Sequence, residues 1–560
     1  MSRAHNRYGR WAGSAVIALS CVALSGTVAV LAAEGSDDGK ITFTVPRATC
    51  GPEDHPETGL QGQVPAPLRA AGFEGFNCNL KLIGQSKNDG GNWQTAEYKD
   101  KRQIEGVDSD ETENRLLHTC GYYGSAAPNA SAKTRNPATY GARVVDLTNP
   151  KSPELMGYLQ SISMLDPWES LRVNEPRKLL VADQAANGGS GPAVDVYDLS
   201  RDCRFPQLLA SVPVGTGTDG GTLAPKAPFG HEGAFSPDGL TYYVGDTTNK
   251  SYHAIDLTDP TKPKHIATFD MKTLSHPPDL VGNTSLASHG LSVSDDGNRL
   301  YVTSPALGTP LADLGNPNVS GTNGFVILDT SEVQARVPDP QIKVISEYLF
   351  KDGSAAQHTI PVSIRGKPYL IHVDEGGSNG VQGFGGGSWS APCLAGYTPF
   401  PMARIVDIND ERHPKLASKL IVEVNDPAKC ANVLPDLVGL FAFSYGTHYC
   451  SVDNRHNATT LACDEFNSGI RVYDIRNPRH PKEIAYYNPA GVGTPSLGSN
   501  HQIITKYPTG QPDWCTAQLH LDAEGGTIWS TCQDNGLLML KFERGVWPFE
   551  DSSTPPGEQN

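Results

Sequence analysis

The sequence predicts an all-β protein, a seven-bladed β-propeller closed by an N-terminal strand. Three observations indicate this fold class: a strand pattern that recurs at regular spacing, a second hairpin before the copies, and an early strand without a partner of its own. The composition agrees with it, because 58 Gly and 43 Pro in 560 residues are typical of a turn-rich chain. With 38% hydrophobic and 19% charged residues, the chain is not a coiled coil, a polytopic membrane protein or a disordered polymer.

The recurring pattern is a short apolar strand, an aspartate, an aliphatic residue, a turn that usually contains proline, and a second strand. It begins, for example, at Ala142 (ARVVDLTNPKSPELMGYL) and at Ile470 (IRVYDIRNPRHPKEIAYY). The six anchoring aspartates are Asp146, Asp198, Asp256, Asp329, Asp407 and Asp474. They recur about every 66 residues, and such a period indicates stacked units that share one core. We expect each aspartate to accept N–H bonds from the following turn.

A second hairpin with an Asp/Gly-type turn precedes the copies, as in HEGAFSPDGLTYYVGD from His231. Two hairpins make four antiparallel strands, which is one propeller blade. The first hairpins start near Trp93, Trp168, His231, His289, His358, His448 and His520. The seventh blade ends at Phe542 without a fourth strand, whereas Asn79–Ser86 precedes blade one as an extra strand. We therefore predict that Asn79–Ser86 completes blade seven and closes the ring, which removes two sheet edges.

The N-terminal residues 1–33 are predicted to be an export signal. Three arginines precede the uncharged stretch Ala12–Ala33, which ends in small residues suited to cleavage. This stretch is longer than a usual signal core, so an uncleaved anchor is the alternative. We expect no other membrane insertion. The remaining chain divides into an N-terminal extension (34–78), the propeller (79–542) and a disordered tail (543–560).

Ten cysteines remain once the signal is removed. They are Cys50, Cys78, Cys120, Cys203, Cys393, Cys430, Cys450, Cys463, Cys515 and Cys532. An even number in an exported chain indicates disulfides, and proximity favours Cys50–Cys78 and Cys393–Cys430 as pairs. We therefore expect a secreted or cell-envelope protein. Its net charge of -16 repels phosphate backbones, so nucleic acid is not an expected partner.

Four long segments are expected on one face of the ring, which we call the long-loop face. They are the second-to-third strand loops Pro305–Asn323 and Gly376–Met402, and the blade-to-blade connections Asn425–Thr447 and Asn488–Ala517. Long loops on a rigid scaffold usually carry function. We expect a protein, glycan or small-molecule ligand to bind on this face.

The innermost strands of five blades start with histidine on the same face. These residues are His231, His289, His358, His448 and His520. If they converge at the channel mouth, their imidazoles would suit a transition metal of the copper or zinc type. Trp93 and Trp168 take the place of histidine in the other two blades, and Glu232, Glu375 and Glu465 are nearby candidate ligand-binding residues. Two alternatives stay open: strand-start histidines that only hydrogen-bond between blades, and an aromatic ligand held by the two indoles.

The V-x-D-[LI]-x-[DN]-P-x-x-P copies resemble those of LVIVD-repeat secreted proteins, which are common in actinobacteria. The segment PETGLQGQVP (Pro56–Pro65), followed by NCNLKLIG, resembles the N-terminal signature of that secreted group. This resemblance implies a propeller and export, and it leaves the activity open because one propeller fold hosts many functions. Our first hypothesis is an exported binding scaffold with a metal site at the histidine ring.

A second, distant resemblance is architectural. Propellers with a histidine-lined central metal site occur in the selenium-binding protein and methanethiol oxidase family, which are copper-linked thiol oxidases. This resemblance implies the alternative hypothesis, a metal-dependent oxidoreductase of the copper type.

Overall fold

The structure, a computed structural model, describes residues 44–105, 112–125, 141–183, 193–213, 230–493 and 511–549. The predicted signal (1–33) lies outside these residues. The described residues belong to one compact unit, whose strands form seven antiparallel sheets. The first strands of neighbouring blades contact one another around the central channel. The seven-bladed β-propeller predicted from the repeats is therefore confirmed.

Counted outward from the channel, the first three strands of every blade follow chain order, and so does the fourth strand of blades one to six. Blades one to three comprise Thr95–Glu105, Thr112–Tyr123, Ala142–Asp146 and Glu154–Leu159; Arg172–Asn174, Leu179–Asp183, Ala193–Asp198 and Gln207–Pro213; Gly230–Phe235, Thr241–Asp246, Ser251–Asp256 and Lys264–Asp270. Blades four and five comprise Leu291–Val293, Arg299–Ser304, Asn323–Asp329 and Lys343–Phe350; Ser354–Ile364, Lys367–Gly376, Ala403–Asp407 and Lys415–Leu420. Blades six and seven comprise Tyr445–Val452, Thr460–Phe466, Ile470–Asp474 and Lys482–Asn488; His520–Asp522, Thr527–Cys532 and Gly536–Phe542.

The closing strand lies where the sequence predicted it. Leu80–Ser86 pairs antiparallel with Gly536–Phe542, and it is the fourth strand of blade seven. A second N-terminal strand, Phe76–Cys78, adds a fifth strand to blade six by pairing with Lys482–Asn488. That pairing was not anticipated, because a three-residue strand carries too little alternation to be recognised in a sequence.

The N-terminal extension and the start of the predicted tail are both packed onto the propeller. The Val45 amide donates to the Ile421 carbonyl (2.8 Å), so the extension runs along blade five. At the other end, Trp547 is buried and contacts the Phe542 ring, with 4.9 Å between ring centroids. The Arg476 guanidinium lies over the Phe549 ring. The packed chain therefore extends past the tail boundary predicted at residue 542, because these aromatic side chains have an apolar surface to cover.

Helices in the described residues are short and lie mostly in the long loops. The α-helices are Ala66–Ala71, Leu311–Leu314, Ser331–Gln334, Ser390–Leu394 and Cys430–Asp436. The 3-10 helices are Ser163–Leu165, Met271–Thr273, Glu423–Asn425 and Pro427–Lys429. In this part of the chain no helix has both the length and the apolar character needed to span a bilayer.

The hydrophobic core is divided among the interfaces between blades. Seven clusters of buried apolar side chains each join two neighbouring blades, including one that joins blade seven to blade one around Trp529 and Tyr123. Both faces of every blade are therefore buried, which explains why the third strands are almost wholly buried and rich in apolar residues. The anchoring aspartates follow these strands, and each accepts a hydrogen bond from the amide two residues later, as predicted.

Three fully buried arginines occupy the third strands of blades one, five and six. Arg143, Arg404 and Arg471 each pair with acidic side chains supplied mainly from outside their own strand. Arg404 contacts Asp374 and, at 3.0 Å, Asp352, and Lys419 contacts the other Asp352 oxygen at 3.0 Å. Each network fixes the third strand to the segment that precedes its blade or to the N-terminal extension.

All ten described cysteines form disulfides. The predicted Cys50–Cys78 and Cys393–Cys430 pairs are confirmed, and the other three are Cys120–Cys203, Cys450–Cys463 and Cys515–Cys532. Such pairing is typical of proteins from oxidising compartments. The Cys393–Cys430 bond links two of the long loops, because it joins the helices Ser390–Leu394 and Cys430–Asp436.

This pairing predicts the outcome of a thiol titration of denatured, unreduced protein recovered after export. No free thiol is expected if the N-terminal segment has been removed, and one per chain, from Cys21, is expected if it has been retained. A reduced sample serves as the control for reagent access. Two or more free thiols in the unreduced sample would contradict the five bonds.

Candidate metal centre

Strand pairing fixes which inner-strand residues are equivalent in different blades. Counted from the third strand through both hairpins, His289 of blade four and His448 of blade six lie at the same level. The register of each inner strand, extended outward across the β-bulges of blades three, five and six, gives one residue in each blade, and we call this set the mouth ring: Trp93, Glu169, His231, His289, Gln357, His448 and Ala517. Three of the five predicted histidines belong to the mouth ring.

Three imidazoles of the mouth ring converge on the carboxylate of Glu169. The Nε2 atoms of His231 and His289 lie 2.9 and 3.8 Å from Glu169 Oε2. On the other side, His448 Nε2 lies 3.5 Å from Glu169 Oε1 and 3.3 Å from Glu375 Oε2. One ligand atom from each of Glu169, His231 and His289 can be chosen so that all three lie within 4.8 Å of one another. Four blades thus bring one carboxylate and three imidazoles together.

Backbone carbonyls orient two of these imidazoles. His289 Nδ1 lies 2.9 Å from the Ala356 carbonyl, and His448 Nδ1 lies 2.5 Å from the Thr516 carbonyl. A carbonyl oxygen only accepts hydrogen bonds, so Nδ1 carries the proton in both rings. The Nε2 lone pair of a neutral ring then faces the cluster, which is the arrangement by which proteins orient metal-ligating histidines.

Burial and charge set the protonation of the cluster. Burial alone lowers the pKa of His448, but its hydrogen bonds with Glu169 and Glu375 outweigh burial and raise the pKa to about 10. Burial likewise raises the pKa of Glu169, yet the imidazoles, His231 first, hold it well below its usual value. The pKa of His289 is lowered by burial and by His231. At neutral pH the cluster thus contains a Glu169 carboxylate, a His448 cation and a neutral His289.

The donor set fits a transition-metal ion. Ligand atoms bound to one ion at 2.0–2.1 Å lie about 3–3.4 Å apart, so the separations of 2.9 and 3.8 Å require only small side-chain rotations. Although close together, Glu169 Oε2 and His231 Nε2 are buried and have no well-aligned hydrogen-bond partner among the described residues. Nitrogen and carboxylate donors suit Zn, Fe, Ni or Cu(II) better than Ca or Mg. All described cysteines are in disulfides, so no thiolate from these residues takes part.

The structure places the other two predicted histidines between blades. His358 lies one position deeper than the mouth ring, where its Nε2 accepts a hydrogen bond from the Cys450 amide (3.2 Å). His520 lies three positions deeper, stacked on Trp529 with ring centroids 4.6 Å apart. It also lines a channel cavity of about 280 Å³. Burial lowers the pKa of His358 well below its usual value and that of His520 to about 3. Both are neutral rings that fit the hydrogen-bonding alternative.

The two predicted tryptophans border the cluster. The Trp93 ring lies 4.9 Å from the His448 ring and 5.6 Å from the Trp168 ring, measured between centroids. Trp168 in turn lies 6.0 Å from the His231 ring. The indoles therefore form one side of the site, and Trp168 stands beside the mouth ring because the ring position of blade two is occupied by Glu169.

The three predicted glutamates have different environments. Glu375 contacts His448 and belongs to the cluster. Glu232 lies one position deeper and accepts hydrogen bonds from Arg172 (2.6 Å) and the Leu291 amide, and burial raises its pKa to about 8. Glu465 accepts from the Tyr473 hydroxyl (2.6 Å) inside blade six, and burial raises its pKa to about 7. Only Glu375 thus approaches the imidazoles directly.

Glu169 was missed at the sequence level. The first strand of blade two has only three residues, and Trp168, which precedes it, resembles the start of an inner strand in the sequence. Counting back from Asp198 through both hairpins places Glu169 level with His231, and that count was the available signal.

The fold and the site together define a β-propeller with a carboxylate–imidazole cluster at one mouth of its channel. No protein-family model and no curated protein matches the chain. Among solved structures, it is similar to a candidate 6-phosphogluconolactonase from Bacteroides uniformis, with 13% identity, a TM-score of 0.48, and coverage of 78% of this chain and 95% of that one. It is also similar to a protein from Lactobacillus plantarum, with 11% identity, a TM-score of 0.45, and coverage of 74% and 89%. At these values the likenesses carry no functional argument.

Proposed function

We propose that this protein is an exported β-propeller that binds a divalent transition-metal ion at the mouth ring. Glu169, His231 and His289 are the proposed ligands. The observation that carries the proposal is the convergence of both imidazoles on one buried carboxylate whose Oε2 lacks a well-aligned partner among the described residues. A bound divalent ion would supply a Lewis acid for an oxygen or nitrogen ligand.

His448 balances charge beside these ligands in the metal-free protein. Its imidazolium contacts both Glu169 and Glu375, so it supplies the positive charge that an ion would bring. An incoming cation therefore competes with this proton for Glu169. We treat His448 as a neighbour of the ion and do not count it among the three ligands.

Ligand binding on the long-loop face completes the proposal. The loops 305–322, 377–402 and 421–444 belong to this face, and the Cys393–Cys430 bond restrains two of them. Restrained loops around a channel mouth are suited to binding, because less order is lost when the ligand enters. Export is supported by the five disulfides, by the features of residues 1–33 and by the resemblance to LVIVD-repeat secreted proteins.

Elemental analysis tests the metal site directly. We expect the purified protein, loaded separately with Zn²⁺, Cu²⁺, Ni²⁺ or Co²⁺ and then dialysed, to retain one ion per chain for at least one of these metals. Glu169→Gln and the double variant His231→Ala/His289→Ala should weaken retention by about 100-fold or more, because each removes a direct ligand. A paramagnetic ion at this site should also quench the fluorescence of the adjoining Trp93 and Trp168.

A surface histidine provides the matched control. His413 is exposed and pairs only with Asp410 among the described residues, so His413→Ala should retain the metal at the wild-type level. Thermal unfolding of each variant shows whether the fold is kept. A wild-type protein that retains none of the four ions, or a His413→Ala variant that loses as much metal as Glu169→Gln, would contradict the proposal.

A further inference from the structure

We propose that the ligand of this metal site is a flat aromatic anion with an oxygen donor, such as an aromatic carboxylate or a phenolate. In this proposal the oxygen binds the ion and the ring lies against neighbouring aromatic side chains. The inference rests on the proposed metal site and adds the class of molecule that reaches it. A row of aromatic contacts, two unpartnered indole N–H groups and a set of strained backbone positions support it.

The aromatic side chains form a continuous row from the long-loop face to the imidazoles, and we call it the aromatic wall. Phe384, 43% exposed, lies 5.9 Å from Phe443, whose ring stacks on Phe466 at 5.2 Å. Phe466 lies 5.3 Å from the His448 ring. Trp514 lies 5.3 Å from Phe466 and 6.1 Å from Trp93, which completes the row. An aromatic molecule can contact the exposed Phe384 and the half-buried Phe443, since offset and edge-to-face ring contacts are favourable at such distances. Phe466 and Trp514 are fully buried and support these rings from behind.

Two donors at the inner end of the wall have no acceptor. The Nε1 atoms of Trp93 and Trp168 are buried and have no hydrogen-bond partner among the described residues. Both rings border the imidazoles. A buried N–H without a partner is unfavourable, so a ligand that brings an oxygen acceptor to this place would satisfy it. This observation favours an oxygen-bearing ligand over a pure hydrocarbon.

Three aromatic residues in the wall or beside it have an unfavourable backbone conformation. Trp168, Phe443 and Phe466 have φ values of 45°, 54° and 44°. Among the described residues, these are the aromatic side chains with positive φ, and all three belong to this one cluster. Bulky residues rarely adopt positive φ, and such strain concentrates at ligand-binding sites. The rings are thus placed where folding alone would favour glycine or asparagine.

Charge favours an anion. A divalent ion held by two neutral imidazoles and the single carboxylate of Glu169 keeps a net positive charge. The nearby Glu375 carboxylate faces His448, with 3.3 Å between Oε2 and Nε2. A carboxylate or phenolate oxygen would neutralise the remaining charge, and the buried surroundings strengthen that attraction.

The test compares three probes on the metal-loaded protein: benzoate, acetate and toluene. We expect benzoate to bind at least about ten-fold more tightly than acetate, because ring contacts add to the same carboxylate–metal contact. Toluene should bind weakly, since it offers no oxygen. Binding is measured by calorimetry and by the absorption spectrum of the Co²⁺-loaded protein, which reports a change of metal ligand.

Two variants locate the binding site. Phe443→Gly removes an aromatic side chain and suits the positive φ, so it should abolish the advantage of benzoate over acetate while the protein stays folded and retains metal. Trp168→Phe removes an indole N–H and should weaken the binding of both benzoate and acetate. Trp547→Phe is the control and should leave the affinities for both probes unchanged, because that residue packs on Phe542 in the cluster between blades six and seven.

The outcomes separate the two proposals. If metal is retained but benzoate binds no better than acetate, this inference is overturned and the metal site stands. If Phe443→Gly keeps the full benzoate preference, the aromatic wall is not the binding surface and the inference also fails. If the wild type retains no metal, both proposals fail together.

Discussion

Removing the closing strand is expected to abolish cooperative unfolding of the propeller. Deletion of residues 80–86 makes Gly536–Phe542 the edge strand of blade seven, paired only with Thr527–Cys532, and uncovers the cluster that contains Leu80. An open edge costs its strand hydrogen bonds and promotes association with other chains. Thermal and denaturant unfolding, each followed by circular dichroism, should show a broad transition with a midpoint below that of the wild type. A deletion variant with a wild-type transition would contradict the closure of the ring by this strand.

A pair of single substitutions in the closing strand gives a graded version of this test. Leu80 is fully buried, whereas Leu82 is 40% exposed in the same strand. We expect Leu80→Asp to lower the free energy of unfolding by about 4 kcal/mol or more, because it buries a carboxylate in place of an apolar side chain. Leu82→Asp should change it by less than about 1 kcal/mol. Equal effects of the two substitutions would show that the strand is not packed as described.

The second large effect is expected at the buried Arg404 network. Arg404→Met removes the cation from between Asp352 and Asp374 but leaves the side-chain volume similar. Lys419 still pairs with Asp352, so Asp374 becomes the uncompensated carboxylate. Breaking one side of a buried ion pair typically costs about 3–5 kcal/mol, and we expect a loss of stability in that range. The measurement is the free energy of unfolding as a function of pH, and the full loss is expected at alkaline pH.

The pH dependence of this loss has a defined sign. In the wild type, burial raises the pKa of Asp374 to about 6, against the opposing effect of Arg404. Without Arg404 the pKa rises further, so the folded variant binds a proton that the unfolded chain releases. The folded-state pKa lies above the unfolded value, so the destabilisation is full only at a pH above the folded-state pKa of the variant and decreases as the pH falls through that pKa. A deficit that grows on acidification would contradict this assignment.

Two variants control for charge and for coupling. Arg299 is partly exposed and pairs with Glu411 at 2.8 Å, so Arg299→Met should cost no more than about 1 kcal/mol. Adding Asp374→Leu to Arg404→Met should restore part of the lost stability, because the unpaired carboxylate is then absent. The contrary result would be a double variant that loses as much free energy of unfolding as Arg404→Met and Asp374→Leu lose together. In that case the two residues do not form a network.

The fold was predictable because the repeat encodes it at several levels. The anchoring aspartates mark the turn after every third strand except that of blade seven, and the apolar third strands reflect blades buried on both faces. An early strand without a partner and a seventh blade that lacks its fourth strand together indicated that the two pair. The fifth strand of blade six was not predictable, since three residues contain no period.

The candidate site was only partly predictable, for reasons of register. His231, His289 and His448 stand at equivalent positions, as their place at strand starts indicated. In blade five the histidine, His358, stands one position past the mouth-ring residue Gln357, and in blade seven the inner strand starts late. β-Bulges interrupt the pairing near the mouth ring in blades three, five and six, so the depth of a residue could not be judged from its distance to the strand start. The central carboxylate, Glu169, directly follows Trp168 in the sequence, and the tryptophan resembles the start of the strand.

The way the ring closes also sets the order in which the chain can fold. Leu80–Ser86 and Phe76–Cys78 leave the ribosome early, but their partners in blades seven and six are among the last strands to be made. Until then the N-terminal segments have no sheet to join, and the apolar face of blade one that packs on blade seven stays uncovered. Pairings between distant parts of a chain form slowly. A chain translocated in an unfolded state would therefore acquire its native ring only after blade seven arrives, and a prematurely terminated product would keep an apolar surface that promotes association with other chains.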